Sequence, residues 1–232
     1  MKCLQRLGLG WRLGIGALGL GMSVAATAAV PSGEPVALAN GGAAATVCAA
    51  CHGASGQGLP DAGFPRLAGL PAAYLVRQLV SYADATRVSP VMTPIAKRLS
   101  AADRRALGTY YAGLPVTDIV AGSAASAPTA AVLAAGESLA RHGRWSANVP
   151  ACAQCHGAQG LGVGDAFPQI AGQSATYLAN QLQAWRSGTR KNDPMGLMHG
   201  IALRLSEPEA NAVAAYYASL PATPGDARSA KP

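Results

Sequence analysis

Cys48-Ala-Ala-Cys51-His52 and Cys152-Ala-Gln-Cys155-His156 stand 104 positions apart in a chain of 232 residues. Cysteines spaced i, i+3 lie on one face of a helix, one turn apart. That pitch suits two thioether bonds to the two vinyl groups of one haem, and the histidine that follows points at the iron. C-x-x-C-H is the attachment signature of c-type haem, so two copies predict two covalently attached haem c groups, each bringing its iron and one axial histidine. A zinc ribbon holds its two cysteine pairs closer together in sequence. A redox-active dithiol has no need of a histidine directly after the second cysteine, and here one follows both times.

The stretches between and after these motifs repeat. Phe64-Pro65-Arg66-Leu67-Ala68-Gly69 returns as Phe167-Pro168-Gln169-Ile170-Ala171-Gly172, and these are the only two phenylalanines. Tyr74-Leu75 to Gln78-Leu79 returns as Tyr177-Leu178 to Gln181-Leu182, and Thr86-Arg87 as Thr189-Arg190. Beyond that point the spacing lengthens by three residues. Met92, Ala96, Leu99 and Ser100 then match Met198, Ala202, Leu205 and Ser206, and Tyr110-Tyr111 matches Tyr216-Tyr217. A repeat of this length marks two units of one architecture. The pattern within each is helical: a short helix carries each haem motif, a glycine-rich loop follows, and a second helix begins near Pro71 or Ser174. The last helix opens on a capping box, Ser100 with Asp103 and Ser206 with Glu209. No alternating strand pattern stands out, so the fold class is all-α, each unit a few helices wrapped around one haem.

Residues 1–28 read as a secretory signal peptide. Lys2, Arg6 and Arg12 precede an apolar Gly/Ala/Leu-rich run, and Ala26-Thr27-Ala28 forms an A-x-A cleavage site. Cys3 leaves with it, so every remaining cysteine belongs to a haem motif and none is left for a disulfide. The net charge of +7 falls to +4 once those three bases are gone. No basic run interleaved with aromatics is present, which argues against nucleic acid as a partner. The expected organisation is a signal peptide over 1–28, a first haem domain over 29–116 and a linker over 117–129. A second haem domain over 130–222 and a loose tail over 223–232 complete it.

A haem bound by one histidine needs a sixth ligand to act as a simple electron carrier, and methionine and histidine are the usual choices. Beyond the expected signal peptide, the first half has only Met92 and no histidine besides His52. In the second half the repeat selects Met198, with Met195 and His199 as alternatives. The expected metal ligands are therefore His52 with Met92 and His156 with Met198. Cys48, Cys51, Cys152 and Cys155 bind the cofactor covalently. Closed six-coordinate iron has no vacancy for a substrate, so no enzyme activity is expected. The remaining repeated aromatics are expected to pack, Pro65 and Pro168 to lie near the acceptor of the histidine ring proton, and His142 to sit at the surface.

Each half resembles a class I cytochrome c domain. The tandem Phe-Pro-x-[LI]-Ala-Gly, Tyr-Leu-x-x-Gln-Leu and Met-x-x-x-Ala-x-x-Leu-Ser stretches resemble the dihaem cytochrome c4 family over about residues 40–222. The resemblance implies a periplasmic carrier with two His/Met haems in two pseudo-symmetric domains whose haem edges meet. Implied partners are a quinol-oxidising complex or dehydrogenase as donor and a terminal oxidase or reductase as acceptor, with loose membrane association. The alternative role is the electron-accepting cytochrome subunit of a periplasmic dehydrogenase, such as a flavin sulfide dehydrogenase.

Overall fold

A computed structural model describes residues 43–116 and 127–223. The expected signal peptide, most of the expected linker and the tail beyond Thr223 lie outside these residues. Among the described residues nine α-helices run in order: α1 (Ala43–His52), α2 (Ala72–Ala83), α3 (Met92–Arg98), α4 (Ala101–Ala112), α5 (Ala130–His142), α6 (Ala153–His156), α7 (Ala175–Arg186), α8 (Leu197–Arg204) and α9 (Glu207–Ser219). Among the described residues extended pairing is confined to isolated bridges. The helices α2, α3 and α4 of the first half match α7, α8 and α9 of the second, as the repeat requires.

Local chemistry sets the helix ends. Ser100 and Ser206 accept the Asp103 and Glu209 amides, and each acid takes its serine's amide in return, at 2.9 and 2.8 Å. Both capping boxes thus form as the sequence predicts. Ser174 caps α7 by accepting the Tyr177 amide, whereas Pro71 caps α2 with no side chain to offer. The length differences between the repeats fall in turns. The loop bridged by Leu59 and Phe64 is one residue longer than the one bridged by Val163 and Phe167. The extra residues of the second half form a turn, Pro194–Gly196, ahead of α8.

Two apolar cores result. Leu70, Leu75, Leu99, Leu107 and Tyr111 form one, and Leu139, Val149, Leu205, Val213, Tyr216 and Tyr217 are prominent in the other. The tyrosine pairs pack edge to face, with ring centroids 5.0 and 5.3 Å apart. The halves differ before their haem motifs. The first motif closes the ten-residue α1, whereas the second sits on the four-residue α6. The second unit instead packs α5 against α9. That crossing is close enough that a Cβ on Gly136 would stand 2.2 Å from the Ala212 carbonyl oxygen. His142 ends α5 exposed, as expected, where a cation suits the helix C-terminus.

The Gly136→Val protein is expected to lose about 1–3 kcal/mol, because backbone cannot yield to the added methyls. The helix propensity recovered on removing glycine is under ~1 kcal/mol. Ser206→Ala, which removes one cap, is expected to cost about 1 kcal/mol. Denaturant titration of both variants checks the order.

Candidate haem sites

Each motif histidine is held by the chain thirteen or twelve residues on. His52 Nδ1 donates to the Pro65 carbonyl at 2.9 Å, and His156 Nδ1 to the Pro168 carbonyl at 2.8 Å. A carbonyl can only accept, so in each neutral ring the proton sits on Nδ1 and the Nε2 lone pair is free for a metal. The glycine loops make this reach possible. Gly58 and Gly162 adopt φ of +86° and +87°, and a Cβ there would stand 2.7 and 2.8 Å from the amides of Arg66 and Gln169. Their own amides donate back to the His52 and His156 carbonyls at 2.7 and 2.8 Å. Phe64 and Phe167 lie beside the imidazoles, ring centroids 6.3 Å away in both halves.

The electrostatics suit a neutral ligand. Burial lowers the pKa of His52 and His156, the carbonyl bonds opposing it only in part. Burial also raises the Cys48 thiol, and pushes Cys152 up to about 11. A redox dithiol or a zinc thiolate site needs the opposite shift. Among the described residues no group of three or more His, Cys, Asp or Glu could hold a metal ion by itself.

The candidate sixth ligands separate clearly. Met92 opens α3 and is half-buried. Met198 takes the matching place in α8, also half-buried. Met195 stands 98% exposed on the inserted turn, at φ of 58°. His199 Nδ1 donates to the Trp185 carbonyl at 2.7 Å and its amide to Asp193 at 2.9 Å, and the repeat matches it to no ligand position of the first half.

A feature that the sequence reading passed over as a repeat match joins the two halves. Arg87 and Arg190, 3% and 4% exposed, face each other across a short antiparallel contact. The Val88 amide donates to the Thr189 carbonyl at 2.8 Å, and Lys191 to Thr86 at 2.6 Å. Arg87 donates to Gln78 of its own half and to Tyr177 and Gln181 of the other, at 2.6–2.9 Å. Arg190 reaches Gln181 and Asn192 of its own half and crosses to Gln78 and Tyr74. Each guanidinium also stacks on a ring of its own half, Arg87 over Tyr82 at 4.6 Å and Arg190 over Trp185 at 3.8 Å. Burial first, and the facing Arg87 next, push Arg190 down. All these hydrogen-bonding partners are neutral.

The chain matches the cytochrome c family model twice, over residues 38–111 and 134–221. It is 46% identical over 210 residues to a thiosulfate dehydrogenase electron acceptor of Thiomonas intermedia, covering 90% of this chain and 95% of that protein. It is 38% identical over 184 residues to cytochrome c4 of Pseudomonas aeruginosa, covering 78% and 88%. Among solved structures, the thiosulfate dehydrogenase TsdBA of Marichromatium purpuratum, as isolated, superposes with a TM-score of 0.69 at 44% identity. That match covers 75% of this chain and 36% of the other, so the chain spans about a third of that protein. Reduced recombinant cytochrome c4 of Pseudomonas stutzeri superposes with a TM-score of 0.67 at 33% identity, over 75% of this chain and 93% of the other.

Two covalent haem c groups, on Cys48/Cys51 and Cys152/Cys155, are the cofactors. The residues present fit them. Beyond the paired thiols and the free Nε2 atoms, the Trp185 indole N–H and the Tyr217 hydroxyl are buried and without a hydrogen-bond partner among the described residues. Two buried guanidiniums among neutral partners call for an anion, which a propionate-bearing macrocycle supplies.

Proposed function

The chain belongs to the cytochrome c family, as a dihaem member of the cytochrome c4 type, and carries electrons. From that premise we propose that it is a periplasmic electron acceptor for a thiosulfate-oxidising dehydrogenase, passing electrons on toward a terminal oxidase or reductase. Bound haem supplies a one-electron couple. The protein supplies everything that makes the couple useful. His52 and His156 present Nε2 with the tautomer fixed by the Pro65 and Pro168 carbonyls. Met92 and Met198, at matching helix starts, are the sixth ligands in this reading. Met195 stands exposed on the inserted turn, and the repeat register matches Met198 rather than His199 to Met92, which supports this choice. A thioether opposite an imidazole raises the potential relative to two imidazoles. A haem held by both a histidine and a methionine would leave no position for thiosulfate, so substrate chemistry belongs to the dehydrogenase and this chain transfers electrons only.

The observation that carries the choice of donor is the 46% identity to a thiosulfate dehydrogenase electron acceptor over nearly the full length of both proteins. No helix among the described residues is long and apolar enough to cross a membrane. Export to the periplasm rests on the signal-like residues 1–28 and on the haem attachment itself. A more general respiratory carrier between a quinol-oxidising complex and a terminal oxidase remains the second reading, favoured by the cytochrome c4 likeness.

Stopped-flow mixing separates these roles. The oxidised holoprotein should stay oxidised with thiosulfate alone and become fully reduced when catalytic amounts of a thiosulfate dehydrogenase are added. Reduction by thiosulfate without the enzyme, or no reduction with it, contradicts the proposal.

The ligand assignment has its own test in the weak red-edge methionine-to-iron band of the oxidised protein. Met92→Ala and Met198→Ala are each expected to remove half of it, and Met195→Ala to leave it whole. Loss of half the band in Met195→Ala with retention in Met198→Ala would reassign the second haem.

A further inference from the structure

The peptide unit that receives the His52 proton is itself hydrogen-bonded on its other side, and the partner comes from the opposite half. The Pro65 carbonyl and the Arg66 amide belong to one peptide group. Its oxygen accepts His52 Nδ1–H at 2.9 Å, and its N–H donates to Gln173 Oε1 at 3.0 Å. Gln173 closes the contact by donating Nε2–H to the Arg66 carbonyl at 3.1 Å. An amide N–H must donate and a carbonyl must accept, so these two bonds fix which way the Gln173 amide points. Both residues are buried, Gln173 at 3% exposure and Arg66 at 0%. The Arg66 guanidinium adds a second tie, donating to Ala171 of the other half at 3.1 Å.

The second haem has no such arrangement. The repeat counterpart of Gln173 is Leu70, which is buried in the first apolar core and cannot accept a proton. The counterpart of the Arg66 amide is that of Gln169, and among the described residues it has no hydrogen-bond partner. The two proximal histidines therefore differ in one respect. His156 faces a peptide that nothing polarises from behind, whereas His52 heads a chain of three groups ending on the other domain.

We propose that Gln173 is a positioning and tuning residue for the first haem, acting through the Pro65–Arg66 peptide, and that it makes that haem's properties depend on the docking of the second domain. Hydrogen bonds in series polarise one another. Drawing density off the Arg66 N–H makes the Pro65 oxygen more negative, which strengthens its hold on the imidazole proton. The ring becomes a stronger donor, and a stronger donor favours the ferric state. This contribution lowers the potential of the first haem and leaves the second untouched. All else being equal, it directs an electron from the first haem to the second. The inference rests on His52 being the proximal ligand.

The test uses holoprotein carrying Gln173→Leu or Gln173→Glu, read by spectroelectrochemistry and by the hyperfine-shifted haem methyl signals of the oxidised form. Signals are assigned to each haem through the set that Met92→Ala displaces. Leucine removes both bonds, so the first-haem potential should rise and its methyl signals should move while those of the second haem stay in place. A glutamate carboxylate keeps and strengthens the acceptor at Oε1 but loses the Nε2 donor, so the first-haem potential should fall, and by more than that of the second. An unchanged first haem in Gln173→Leu overturns the proposal. So do two haems that shift together in the same direction in both variants, because that is the mark of loosened docking alone. Should Gln173→Leu fail to accumulate, a rise or no change in Gln173→Glu contradicts the relay. The spectrum of the unsubstituted protein reports the ligation of the first haem independently, so an error in that assignment is told apart from a failure of the relay.

Discussion

The bond from an imidazole proton to a peptide carbonyl governs how each half of this protein is built. A histidine that ligates metal through one nitrogen must be anchored through the other, or its ring turns and its basicity drifts. Here the anchor is a proline carbonyl a dozen residues downstream, and the intervening loop exists to deliver it. Gly58 and Gly162 adopt left-handed backbone so that the chain can pass against the amides of Arg66 and Gln169. The Gly58 and Gly162 amides donate to the histidine carbonyls themselves. Pro65 and Pro168 leave their carbonyls aimed at the rings. The burial that surrounds this bond favours each neutral imidazole, the form that suits coordination, and raises the Cys48 and Cys152 thiols.

The contact between the halves obeys a second constraint. Two like charges buried side by side cost several kcal/mol unless something compensates them. Arg87 and Arg190 meet near the pseudo-twofold relation of the repeat, and their cross-bonded glutamines and tyrosines solvate them without neutralising them. A haem propionate would supply the compensating negative charge, and through it the haems and the interface would stabilise one another. The haem also offers a physical reason why an apolar core of a few leucines and tyrosines suffices in each half, since its plate adds a large apolar surface to it.

Much of this was legible in the sequence. The paired motifs state the cofactor and its attachment and point to His52 and His156 as proximal ligands, and the capping serines mark the starts of α4 and α9. The repeat register picks Met198 over Met195, and the inserted turn that carries Met195 into solvent supports that choice. The interface was not legible. Matching offsets state that Arg87 and Arg190 are equivalent, but equivalence along the chain does not say that a pseudo-twofold brings equivalents face to face. The Gln173 contact left a fainter trace, a mismatch with Leu70 inside an otherwise well-matched stretch. A polar residue replacing an apolar one in a repeat signals a partner outside the unit, and only the tertiary arrangement names it. The uneven helices α1 and α6 were hidden as well, because C-x-x-C-H fixes one turn of helix and nothing about its length.

The central claim is that each half holds one closed haem between a histidine and a methionine. Near-infrared magnetic circular dichroism of the fully oxidised holoprotein tests it most directly, since the energy of the ligand-to-iron band distinguishes methionine from histidine or nitrogen donors. The account predicts a single methionine-type band of twice the intensity of a one-haem His/Met standard, with no high-spin component. A bis-histidine band, or a high-spin signal from either haem, would contradict it.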